Sequence, residues 1–125
     1  MKRFIYILLS LMIGFTMVYA QDKAVISSDK TTHDFGKIKE ADGPVSYTFK
    51  IDNTGNGPLI LTRVIASCGC TTPEWTKEPI AAGKSGEIKI TYNPKDRPGP
   101  SVKTISVYSN GKTGSFVLTI KGDVQ

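Results

Sequence analysis

Val45-Ser46-Tyr47-Thr48-Phe49-Lys50-Ile51-Asp52-Asn53 decides the fold class of this 125-residue chain. Val45, Tyr47, Phe49 and Ile51 fall on one side of an extended chain, and Ser46, Thr48, Lys50 and Asp52 on the other. Successive side chains of a strand point to opposite faces, so the run reads as a half-buried β-strand. Asn53-Thr54-Gly55-Asn56-Gly57-Pro58 then ends it with residues that tolerate positive φ.

The period of two recurs on both sides, and no mature segment repeats apolar residues at helical spacing. Ala24–Ser28 and His33–Ile38 read as the first strand pieces. Leu59–Ala66 is the next strand, with Leu59, Leu61 and Ile65 on one face and Ile60 and Val64 on the other. Cys68–Trp75 reads as short and irregular, extended near Thr71 and Thr72. Pro79–Gly86 is a predicted loop, and Glu87–Asn93 a strand that buries Ile88, Ile90 and Tyr92. Pro94, Pro98 and Pro100 make Asn93–Pro100 an exposed connection, because proline cannot serve a central strand. Val102–Ser109 and Ser115–Lys121 close the series, joined through the hairpin signal Asn110-Gly111. Seven or eight short strands and no helix imply a sandwich or a barrel. Its core should hold Tyr47, Phe49, Ile51, Leu59, Leu61, Ile88, Ile90, Tyr92, Ile105, Val107, Phe116, Leu118 and Ile120.

The chain starts with the basic residues Lys2 and Arg3. A 15-residue run without charge follows, Phe4–Val18, and then Val18-Tyr19-Ala20. This is the layout of a secretory signal peptide. The run is shorter than the ~20 residues a membrane-crossing helix needs. Cleavage is expected between Ala20 and Gln21, leaving one domain over residues 21–125 with no stable membrane span. No cysteine follows the apolar run, so no lipid-anchored start is expected. The destination is the periplasm or the extracellular space.

Loss of Lys2 and Arg3 takes the 16 basic residues to 14 against 11 acidic ones, a net charge of +3. The basic residues are scattered, which speaks against nucleic-acid or membrane binding. All three methionines (Met1, Met12 and Met17) belong to the signal. The mature domain keeps one histidine, His33, and two cysteines, Cys68 and Cys70. It has no phosphate-cradling glycine loop, serine nucleophile elbow or metal-binding helix motif.

Several stretches together resemble one group. They are His33-Asp34-Phe35-Gly36-Lys37-Ile38, Phe49-Lys50-Ile51-Asp52-Asn53-Thr54-Gly55, Pro58-Leu59 and Ala66-Ser67-Cys68-Gly69-Cys70-Thr71-Thr72-Pro73. Ile80-Ala81-Ala82-Gly83-Lys84-Ser85-Gly86-Glu87-Ile88 and Tyr92-Asn93-Pro94 complete them. From Thr32 to Asn110 the chain resembles the bacterial domain-of-unknown-function family numbered 1573, with Ser-Cys-Gly-Cys-Thr the most specific element. More loosely, the Asn-Thr-Gly…Pro-Leu pattern is similar to immunoglobulin-like domains of the major-sperm-protein and chaperone-pilin type. The resemblance implies an exported immunoglobulin-like sandwich of two antiparallel sheets, and it implies no reaction.

Cys68 and Cys70 would share an oxidising compartment, where a pair tends to close. Two residues apart on a flat strand they lie at the upper limit for a disulfide, which prefers Cα atoms about 5.5–6 Å apart. Gly69 is expected to bend the chain and bring them closer. So small a loop gives at most about 1.6 kcal/mol, and a strained bridge is easily reduced. Four readings stand: a local bridge or packing pair, a redox-active or partner-crosslinking pair, a metal site, and a cysteine nucleophile. A closed zinc site wants four ligands, and the two thiols with His33 supply three. Two thiolates alone suit Cu(I), or two chains would share a four-sulfur site. His33, beside Asp34, reads as a structural residue.

No residue is assigned a catalytic, metal-binding or cofactor-binding role, and no cofactor is expected. The expected role is a non-enzymatic binding or structural module of the bacterial cell envelope. Its partner would be another envelope protein or a surface glycan, met through loops or a sheet edge. Trp75 and Arg97 are the candidate contacts. The alternative is thiol-based redox exchange or metal capture at Cys68 and Cys70.

Overall fold

Eight strands form in chain order: β1 (Ile26–Ser27), β2 (Thr32–Ile38), β3 (Val45–Asn53), β4 (Leu61–Ala66), β5 (Thr71–Trp75), β6 (Ser85–Tyr92), β7 (Gly99–Ser109) and β8 (Ser115–Val124). They are seen in a computed structural model that describes residues 23–111 and 115–125. The expected signal segment 1–20 and its cleavage point between Ala20 and Gln21 lie outside the described residues.

The strands make two four-stranded sheets, ordered β1-β3-β6-β5 and β2-β8-β7-β4. With β3, β6 and β5 as the B, E and D strands, and β4, β7 and β8 as C, F and G, this is the order of a constant-type immunoglobulin sandwich. The first strand is split, giving β1 to one sheet and β2 to the other. One ladder departs from the antiparallel expectation: β2 runs parallel to β8. A chain that crosses from the edge of one sheet to the edge of the other reaches the last strand in its own direction.

The alternation in β3 does what its pattern requires. Phe49 and Ile51 are fully buried, and they face Ile88 and Gly86 across the β3–β6 ladder. Ile88, Ile90, Leu59, Ile105 and Leu118 are likewise fully buried. Tyr47 and Phe116 pack against this core from partly exposed positions rather than inside it. Ala24, Ile26, Ile38, Val64, Ile80 and Val124 join it, beyond the expected set.

The face assignment in β4 is corrected. Val64 is buried, whereas Ile65 is 44% exposed. A register shift between Leu61 and Arg63 inserts a bulge and reverses the alternation after Leu61. Leu59 and Leu61 stay inside and Ile65 turns out. Other boundaries move as well. The strand expected from Glu87 starts at Ser85, and β7 starts at Gly99, with Pro100 paired to Asp123. Pro100 is tolerated as the second residue of its strand. Thr71–Trp75 is a regular strand despite Pro73, because β5 is a sheet edge.

Candidate functional site

Most of the motifs that stand out in the sequence have a purely structural account. Asn53 is 1% exposed. Its Oδ1 accepts from the Val25 and Gly55 N–H groups at 3.3 and 3.0 Å. Its Nδ2 donates to the Gly57 and Ile80 carbonyls at 2.8 and 2.9 Å. A Cβ on Gly55 would strike the Lys23 carbonyl and the Val25 nitrogen. The Asn-Thr-Gly run is therefore a knot that ties the β3–β4 turn to the start of the domain. In β2, Asp34 Oδ1 accepts the Gly36 N–H at 2.8 Å, and Gly36 has φ +68° at the register shift. Asp34-Phe35-Gly36 is a built bulge.

The Cys-Gly-Cys element is different. Ser67 is the last residue tied to its neighbour strand, donating to the Thr104 carbonyl at 2.9 Å. Cys68-Gly69-Cys70-Thr71 then forms a β-turn, closed by the Thr71 N–H on the Cys68 carbonyl at 3.3 Å. The turn brings the two Cα atoms to 5.3 Å and the two sulfurs into contact as a close pair. That separation lies within disulfide range. Cys70 is buried, 8% exposed, and Cys68 is partly exposed. The Cys70 N–H donates to Cys68 Sγ at 3.1 Å, and Cys70 Sγ lies 3.6 Å from Thr71 Oγ1. Gly69 does not act as expected. It is not among the positive-φ glycines, and a Cβ there would meet nothing within 4 Å. The turn makes the bend without needing glycine, and Gly69 is exposed.

Hydrogen bonds join this turn to three other segments at the same end of the sandwich. The Asn93 N–H donates to the Cys70 carbonyl at 2.8 Å, so the Asn93–Pro98 loop starts against the thiol pair. Farther along that loop, the Asp96 N–H donates to Glu40 Oε1 at 2.9 Å. Glu40 N–H in turn donates to the Gln125 carbonyl at 3.0 Å. Asp96 holds φ 61°, and the Arg97 N–H closes a turn on the Pro94 carbonyl at 3.1 Å. Arg97 stands exposed on this loop. Beside it, Glu40, Pro44, Asn93, Lys95 and Gln125 line an open groove. Neither Glu40 nor Gln125 is among the contacts expected from the sequence. Their contacts join residues far apart in the chain, and no local pattern encodes them.

Trp75 does not belong to this end. It lies at the far end of β5, opposite Ile88, about 13 Å from Thr71 at the usual rise per strand residue. Its ring packs partly buried against the core, with Lys77 Nζ 3.0 Å from the ring centroid. Its Nε1 is buried with no hydrogen-bond partner among the described residues. Trp75 and Arg97, both candidate contacts, are thus not brought together.

His33 belongs to an aromatic cluster instead of the thiol pair. It stacks on Tyr47 at 3.7 Å between centroids and meets Phe35 edge-on at 4.7 Å. Lys30 Nζ lies 3.1 Å from its Nδ1. Burial lowers its pKa from 6.5, and the Lys30 charge lowers it further against a smaller opposite pull from Asp34. Among the described residues, no three His, Cys, Asp or Glu side chains converge to hold a metal ion.

Strand order, split first strand and core together define an immunoglobulin-like domain, here with a close thiol pair on a turn at one end. The chain belongs to the family described as protein of unknown function DUF1573, whose model matches residues 26–124. Among solved structures it is similar to a protein of unknown function from Porphyromonas gingivalis W83, at TM-score 0.73 and 22% identity, over 88% of this chain and 51% of that one. It is similar to the VesB protease of Vibrio cholerae at TM-score 0.60 and 16% identity, over 82% of this chain and 32% of the protease. It is also similar to the YadV chaperone at TM-score 0.53 and 22% identity, over 82% of this chain and 51% of that one. At these identities the likeness is one of fold alone, and this chain spans about half the length of the first structure and of the chaperone and about a third of the protease. A search of curated proteins finds no significant match.

Proposed function

We propose that this domain is an exported, non-enzymatic binding module of the bacterial cell envelope. It engages an envelope protein or surface glycan through the loop end that carries Cys68, Cys70 and Arg97. One observation carries the reading. Four segments distant in the chain are hydrogen-bonded into a single surface at that end, through Asn93 to Cys70, Asp96 to Glu40 and Glu40 to Gln125. Loops held on a rigid sandwich are where such domains bind, and preformed loops bind without an ordering cost. The thiol pair, bridged, pins the turn locally. The leader in the sequence supplies the export.

A photo-crosslinking side chain placed at Lys95, on the loop end, is compared in growing cells with one at Lys84, which is exposed where β6 begins at the other end. Discrete adducts are expected from position 95 and not from 84. Adducts from 84 alone, or from neither, contradict the proposal. Turnover of a generic thiol-disulfide substrate by the purified domain, lost in Cys68→Ser, contradicts its non-enzymatic part.

A further inference from the structure

We infer that the Cys68–Cys70 pair is a covalent latch: a cysteine thiolate of an envelope protein partner opens the bridge at Cys68 Sγ and stays attached there. This rests on the binding reading and specifies its contact chemistry. The two sulfurs are not equivalent. Cys68 is partly exposed at the first position of the turn, while Cys70 is buried and packed against the core. Between them Gly69 is exposed, and the space where its side chain would stand is open. An approaching thiolate therefore reaches Cys68 and not Cys70, and exchange rates follow access and the sulfur attacked. The bridge closes a loop of only three residues, so the chain-entropy gain from keeping it shut is at most about 1.6 kcal/mol.

The step balances without an outside electron source. The partner sulfur attacks Cys68 Sγ along the S–S axis. A bond forms between the partner sulfur and Cys68, and the Cys68–Cys70 bond breaks. Its electron pair leaves on Cys70 Sγ as a thiolate. Thr71 Oγ1, 3.6 Å from that sulfur, is placed to donate a hydrogen bond to it, which favours the charged form. One disulfide and one thiolate become one disulfide and one thiolate. The released Cys70 sits next to the mixed disulfide and reverses the step by attacking Cys68, so the latch opens again and nothing is consumed.

Glutathione serves as the probe thiol. The oxidised domain is incubated with it, quenched in acid, alkylated and sequenced by fragment-ion mass spectrometry. The expected product carries glutathione on Cys68 and the alkyl group on Cys70. Glutathione mainly on Cys70, or no mixed disulfide at any concentration, overturns the latch. Single-cysteine variants give a second measure with oxidised glutathione as the probe. Cys68 in Cys70→Ser should be modified at least about tenfold faster than Cys70 in Cys68→Ser, given the difference in access. Equal or reversed rates overturn the assignment. The crosslinking comparison at Lys95 separates the failures: adducts there without glutathione on Cys68 leave the binding surface standing and remove the latch.

Discussion

Asn53 and Gly69 mark the two kinds of residue in this chain. Asn53 uses both polar side-chain atoms, twice each, on four backbone groups, of which the Ile80 carbonyl also accepts the Leu59 N–H. Asn53→Ala would strand several buried partners and should cost about 3 kcal/mol or more, read by urea denaturation. Gly69 sits in open space without left-handed φ. Gly69→Ala should change stability by less than about 1 kcal/mol, whereas Gly55→Ala, which drives a Cβ into backbone, should cost about 1–3 kcal/mol. His33 contributes a pH dependence. Its folded pKa lies below 6.5, so between the two values the unfolded chain binds more protons. Stability is full above 6.5 and falls as the pH drops through that value toward the folded pKa. The same denaturation series repeated in His33→Gln should lose this slope. The sequence displayed Asn53 as a turn former and Gly69 as a bend former. Their true difference lies in neighbours from other parts of the chain, which local reading does not see.

At the scale of elements, legibility followed the solvent boundary. β3 and β6 alternate without a break, and their ladder runs in register from Val45–Tyr92 to Asp52–Ser85. β4 defeated the same reading because one extra residue near Thr62 reverses the face, and a bulge leaves no mark in a string of apolar letters. Cys68–Trp75 reads as short and irregular, whereas β5 is a regular strand through Pro73. Only the sheet order makes it an edge, where proline is allowed. The bulge places Ile65 outside, in line with Val117 through Ser106 across β7 and β8. Ile65→Thr should therefore cost less than about 1 kcal/mol, whereas Val64→Ala should cost about 1–3 kcal/mol. The original face assignment requires the opposite ranking, so the two denaturation midpoints decide between them.

For the whole molecule, holding the fold and presenting the loop end are separate tasks. Seven large apolar side chains, Phe49, Ile51, Leu59, Ile88, Ile90, Ile105 and Leu118, are fully buried between the sheets. Each gives about 1.5–3 kcal/mol, so any one of them matches or exceeds the whole entropic gain available to a Cys68–Cys70 bridge. The bridge is too weak to be needed for folding, which leaves it available for the proposed partner contact. The candidate end was only partly legible: Cys68, Cys70 and Arg97 could be named from the sequence, but Glu40, Asp96 and Gln125 are assembled there by the fold. Chemical denaturation of the domain, oxidised and then reduced, followed by circular dichroism, tests this separation most directly. The expected result is cooperative unfolding in both states, with reduction costing no more than about 1.6 kcal/mol. A reduced domain that loses cooperative unfolding, or several kcal/mol of stability, would contradict it.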